Sequence, residues 1–64
     1  MGQVFSSREL IRMVEADGWQ LVRVKGDHHH YRHSSKPGTV TIPHPVRDLD
    51  KKTANSILKQ AGLK

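Results

Sequence analysis

Lys25-Gly26-Asp27-His28-His29-His30-Tyr31-Arg32-His33 decides how this chain is read. Gly26-Asp27 is two-residue turn chemistry flanked by two segments of strand character. Before it, Trp19 to Val24 is rich in aromatic and β-branched residues. After it, His28 to His33 returns as a second strand. Ser34-Ser35-Lys36-Pro37-Gly38 is again turn chemistry, and Thr39-Val40-Thr41-Ile42 alternates as a half-buried third strand. Two successive hairpins predict an antiparallel meander.

Both flanks of the meander read as helices. Ser6 and Glu9 form a capping box, with Phe5 and Leu10 placed as its hydrophobic staple. Leu10, Ile11, Met13 and Val14 give a narrow apolar stripe, Arg8, Arg12 and Glu15 face outward, and Asp17-Gly18 ends the helix. Pro43-His44-Pro45 stops the third strand. Asp50 caps a second helix over Lys51 to Ala61, ended by Gly62, with Ala54, Ile57, Leu58 and Ala61 as its buried stripe. The expected fold is α+β in the order α-β-β-β-α. Two helices lie on one face of a three-stranded antiparallel sheet, and the other face meets solvent.

With 64 residues the chain is expected to form a single domain over residues 1–64. A domain of this size buries only about 60% of the surface exposed by its unfolded chain. Without cysteine, neither a disulfide nor a thiolate zinc site can staple it. Eleven Lys and Arg against six Asp and Glu give a formal charge of +5, which suits a polyanionic partner such as nucleic acid, an anionic membrane or an acidic protein. No apolar run approaches the roughly 20 residues of a membrane span. Met1-Gly2-Gln3-Val4 lacks the cationic start and apolar stretch of a signal peptide, so a cytoplasmic location is expected.

Strand alternation divides the histidines. His28, His30 and Arg32 share one face; His29, Tyr31 and His33 share the other. Tyr31 is the most apolar of the six, so its face is assigned to the core and His28, His30 and Arg32 to solvent. A bulge after Gly26 would upset this division. His33 and His44 stand beside turns without a clear role, and His29 is read as structural.

An imidazole can donate or accept a proton near neutral pH, and here it sits among cations that attract phosphate. RNA carries its own nucleophile, the 2′-hydroxyl beside each phosphodiester. Cleavage needs only removal of that proton, stabilisation of the phosphorane charge and protonation of the 5′-oxygen. His28 is the first candidate for proton transfer because it opens the strand beside Gly26, where a backbone can approach closely. Water, Tyr31, His30 or a lysine could be the partner acid. His30 and Arg32 are candidate phosphate contacts, and Asp27 is either a turn residue or an orienting group for an imidazole. Lys51 and Lys52, in the first turn of the second helix, suit an external phosphate at its N-terminus.

Three readings compete with this one. His28 and His30, with His33 or His44, could chelate zinc, although no cysteine or well-placed glutamate completes such a site. The same basic surface could bind duplex RNA without cutting it. A DNA-binding role is disfavoured because no helix reads as a recognition helix.

Over nearly its whole length the sequence resembles the HicA (YcfA-like) family of bacterial toxins. The resemblance rests on Gly18-Trp19, on Lys25 to His33, and on Val40-Thr41-Ile42-Pro43-His44. It continues through Leu49, Lys51, Thr53 and Ser56-Ile57-Leu58-Lys59-Gln60-Ala61-Gly62. It implies a double-stranded-RNA-binding-domain-like fold and an mRNA interferase that cleaves RNA without a metal or other cofactor. It also implies a cognate antitoxin, HicB, that blocks the activity. The family's Gly-Ser-His pattern falls on Gly26, Asp27 and His28, which makes His28 the implied catalytic histidine; Asp27 departs from the usual serine. The resemblance supports Lys51 and Lys52 as RNA-backbone contacts. The expected site is therefore His28 for catalysis, with Gly26, His30, Arg32, Lys36, Lys51 and Lys52 toward RNA.

Overall fold

The computed structural model describes residues 5–64; Met1 to Val4, on which the signal-peptide reading rests, lie outside the described residues. The elements are α1 (Ser7–Ala16), β1 (Gln20–Lys25), β2 (His28–Arg32), β3 (Thr39–Pro43) and α2 (Lys51–Gln60). This is the expected α+β order, and no strand boundary moves by more than one residue.

Local chemistry starts and stops both helices. In α1 the Ser6 side chain accepts the Glu9 N–H while the Glu9 carboxylate accepts the Ser6 N–H, closing the capping box. Asp50 caps α2 by accepting the Thr53 N–H at 3.2 Å. Both helices end in a Schellman motif. Gly18 N–H donates to Glu15 and Trp19 N–H to Val14; Gly62 N–H donates to Lys59 and Leu63 N–H to Leu58. Gly18 has a φ of +102°, and a Cβ there would stand 2.8 Å from His33 Nε2, so position 18 has room only for glycine.

The three strands form one antiparallel sheet in the order β1-β2-β3. Trp19, Tyr31, Val40 and Ile42 are buried with Leu10, Val14, Leu49, Ala54, Ile57, Leu58 and Ala61 in one core on the inner face. Burying each large apolar side chain contributes about 1.5–3 kcal/mol, which is how so short a chain offsets its ordering entropy.

Two details differ from expectation. Met13 is 37% exposed, and Ser7, only 1% exposed, takes its place in the buried arc with Leu10 and Val14. At 100° per residue Ser7, Val14 and Ile11 all fall to one side of Leu10, while Met13 falls about 60° to the other. The helical cover is also incomplete. Both helices pack on β3, and neither packs extensively on β1, whose six residues are all exposed.

Candidate functional site

The Gly26-Asp27 turn sets the register of the hairpin that carries His28. Gly26 has a φ of +59° while Asp27 keeps a negative φ, the pattern of a II′ turn with glycine in its first position. Lys25 is then paired with His28 and Arg23 with His30. Across β2, His28 is paired with Pro43, His30 with Thr41 and Arg32 with Thr39. The outer face of the sheet therefore gathers Arg23 and Lys25 from β1 and His28, His30 and Arg32 from β2. No acidic residue occupies a register position on this face. The division of histidines by alternation holds, because the register shift lies in β1, between Leu21 and Arg23, and not in β2.

His28 is exposed, its side chain 58% accessible, and its Nε2 stands 3.9 Å from Asp27 Oδ1. That contact is an ion pair only when the imidazole is protonated. His30 is half-buried; its Nδ1 meets Thr41 Oγ1 at 3.0 Å, which orients the ring and leaves Nε2 free. Val22, Arg23, His30, Arg32 and Thr39 line a shallow cavity of about 320 Å³ on this face. A second groove of about 400 Å³ lies between β3 and α2. It is lined by Thr39, Thr41 and Pro43 on one side and by Lys52 and Ser56 on the other.

The remaining histidines are structural. His29 packs edge-on against His44, ring centres 4.9 Å apart. Ser7 Oγ lies 2.6 Å from His44 Nδ1 and accepts the Val46 N–H at 2.9 Å. The His44 N–H donates to the Asp27 carbonyl at 2.7 Å, tying the β3 exit to the turn before His28. His33 Nε2 contacts the Asp17 carbonyl at 2.6 Å and its Nδ1 accepts the Ser35 N–H, which selects the Nε2–H tautomer. Its ring stands edge-on to Trp19. Neither His33 nor His44 joins His28 and His30. Among the described residues no three potential ligands converge in the geometry of a metal site.

The other expected contacts separate. Tyr31, a candidate proton donor, is buried on the inner face and cannot reach a phosphate at His28; burial pushes its hydroxyl pKa up. Lys36 is held by the Asp17 carboxylate and donates to the Ala61 carbonyl at 3.1 Å, so its ammonium ties the β2–β3 connection to the ends of both helices. The Lys36 hydrogen bond in turn holds the Asp17 carboxyl below the usual range. Lys52 lines the groove beside β3, whereas Lys51 lines a different cavity with Phe5, Leu58 and Leu63. The N-terminus of α2 already has an anion in Asp50, whose pKa is lowered by its hydrogen bonds with Thr53. An external phosphate is therefore not needed to explain it. Gly26 is exposed, and a Cβ there would meet nothing within 4 Å; positive φ is what calls for glycine. Lys25 and Arg23, not among the expected RNA contacts, stand beside His28 and His30, a pairing that a two-residue turn at Gly26-Asp27 already implies.

The family model described as HicA toxin of bacterial toxin-antitoxin matches residues 7–63. The chain belongs to the HicA toxin family. The match covers α1, the whole sheet and all of α2, so it includes every residue assigned to the outer face. A search among curated proteins returned no match. HicA membership makes the chain a toxin of a toxin–antitoxin system and implies an antitoxin partner. None of the described helices is long and apolar enough to cross a membrane.

Proposed function

We propose that this HicA toxin is a cytoplasmic, metal-independent mRNA endoribonuclease of a type II system. In this reading it folds as one domain, arrests translation and growth, and is neutralised by a HicB antitoxin. Exposed His28, paired with Lys25 across the hairpin and two residues from His30 on a face without acidic register positions, carries the reading.

The chemistry follows from that arrangement. Residues two apart on a strand have their Cα atoms roughly 7 Å apart, so one phosphodiester fits between the His28 and His30 rings. One imidazole takes the 2′-hydroxyl proton as that oxygen attacks phosphorus. A protonated imidazole or the Lys25 ammonium gives a proton to the departing 5′-oxygen. The P–O5′ bond breaks, leaving a 2′,3′-cyclic phosphate and a free 5′-hydroxyl. Because the substrate supplies the nucleophile, no metal-bound water is required. Lys25, Arg23 and Arg32 stabilise the charge developing on the phosphoryl oxygens, and Lys52 extends the contact along the backbone. Lys36 is assigned to stability and is left out of the RNA surface.

His28→Ala tests this directly. General acid–base catalysis is worth about 10²–10⁴-fold, so cleavage should fall by that much while the thermal midpoint and RNA affinity hold. Unchanged cleavage would remove His28 from the mechanism. Chelator should leave the wild-type rate intact; its loss would restore the metal reading. Binding of RNA by the wild type with no cleavage under either condition would instead favour a non-catalytic RNA-binding module, the second reading that the basic outer face supports.

A further inference from the structure

β1 is an edge strand, and among the described residues no further strand pairs with its outer side. Its bulge has a specific effect. Counting back from Lys25–His28, regular pairing would place Leu21 opposite Arg32 on the outer face. The register shift instead pairs Leu21 with Tyr31 and leaves Val24 paired with His29. Both apolar side chains therefore point to the inner face, beyond the limit of the helices. They are 47% and 50% exposed, and Val22, the extra residue of the bulge, is 56% exposed. Arg23 and Lys25 lie on the opposite face.

Proteins usually blunt a free edge with charge, proline or a bulge. Here the charge is confined to the outer face, there is no proline, and Leu21 and Val24 are left exposed on the inner one. Such an edge is two-faced: it offers unpaired backbone groups between an apolar side and a cationic side. A second copy of the chain suits it poorly. Antiparallel pairing of β1 with itself about Arg23 or Val24 sets cations opposite one another, and each copy carries a formal charge of +5. A strand with apolar residues on its inner side and acidic residues on its outer side is complementary to both faces.

We propose that the free edge of β1 receives an extended segment of the antitoxin as a fourth strand. That strand sets apolar residues beside Leu21 and Val24 and carboxylates beside Arg23 and Lys25. The proposal rests on the toxin–antitoxin partnership of the family and deepens the site described above. An added strand lies about 4.8 Å from β1. Its carboxylates neutralise the two cations that face His30 and His28 across the hairpin. The toxin then loses its attraction for phosphate without any group having to enter the space around His28.

The test uses the full chain carrying His28→Ala, so that partner binding is measured independently of cleavage, and the purified protein of the adjacent reading frame as the probe. Leu21→Lys and Val24→Lys, introduced separately, should each weaken binding by about tenfold or more, with unchanged circular dichroism because neither side chain is part of the core. Hydrogen exchange should show β1 amides protected in the complex and unprotected in the free toxin. In the chain with His28 intact, Leu21→Lys should leave RNA cleavage unchanged, so a failure of the nuclease reading appears in that assay alone. Several results would overturn the proposal: no binding by the probe, less than about twofold loss from both substitutions, or no gain of protection in β1. A free toxin that sediments as a dimer and becomes monomeric with Leu21→Lys would assign the edge to a second copy instead. Loss of RNA affinity with antitoxin binding intact would assign it to RNA.

Discussion

Ser7, the first residue of α1, holds the ring of His44 at 2.6 Å and the Val46 N–H at 2.9 Å through a single hydroxyl. The backbone N–H of the same His44 holds the Asp27 carbonyl, so the start of α1 is linked through one residue to the turn that presents His28. Ser7→Ala leaves a part-buried amide and an imidazole nitrogen without their partner, a loss of about 1–3 kcal/mol. Urea denaturation should show a lower midpoint with an unchanged slope. A stability equal to wild type would mean that water replaces the hydroxyl.

Acid should destabilise the fold through Asp17 and Asp50. Both carboxyls have folded-state pKa values lowered by hydrogen bonds, from Lys36 to Asp17 and from Thr53 to Asp50. Below the unfolded value of about 3.9, the unfolded chain binds more protons than the folded one. Their stabilisation is therefore present above that pH and is lost as pH falls through the folded values. Thermal midpoints should drop with acidification below about pH 4, and Asp17→Asn should flatten the drop while lowering the plateau at neutral pH. An Asp17→Asn profile parallel to wild type would refute this assignment.

Two lysines that look alike in the sequence should behave differently. Lys52→Ala should weaken RNA binding across sequences and reduce the steepness of its salt dependence by about one counterion. Lys36→Met should lower the thermal midpoint by several degrees and leave that salt dependence alone, because its ammonium is engaged by Asp17 and Ala61. Filter binding from low to moderate salt separates the two, and the reverse pattern would return Lys36 to the RNA surface.

Gly26→Ala should cost about 1 kcal/mol, since an L-residue is strained at a φ of +59° although its Cβ would meet nothing. Asn at the same place should cost less. If either variant loses cleavage far beyond its loss of stability, the glycine serves RNA approach as well as the turn; matched losses would confine it to the turn.

The fold was legible because its punctuation is local. Ser6 with Glu9, Asp50, Gly18, Gly62 and the Gly26-Asp27 pair each act on backbone groups a few residues away, and the alternation around Tyr31 assigns His28 and His30 to one face by strand geometry alone. From that much, the sequence by itself determined the α-β-β-β-α order, the outward position of His28 and its setting among cations. Long-range packing decided the rest. Whether Lys36 reaches phosphate depends on Asp17, 19 residues earlier, and on the end of α2. Whether Lys51 and Lys52 act together depends on how α2 lies against β3. That Leu21 rather than Val22 stands beside Tyr31 depends on a one-residue shift in β1, and the exposure of that edge depends on helices that stop short of it. These contacts join residues distant in sequence, and no local propensity or spacing encodes which partner each side chain will meet.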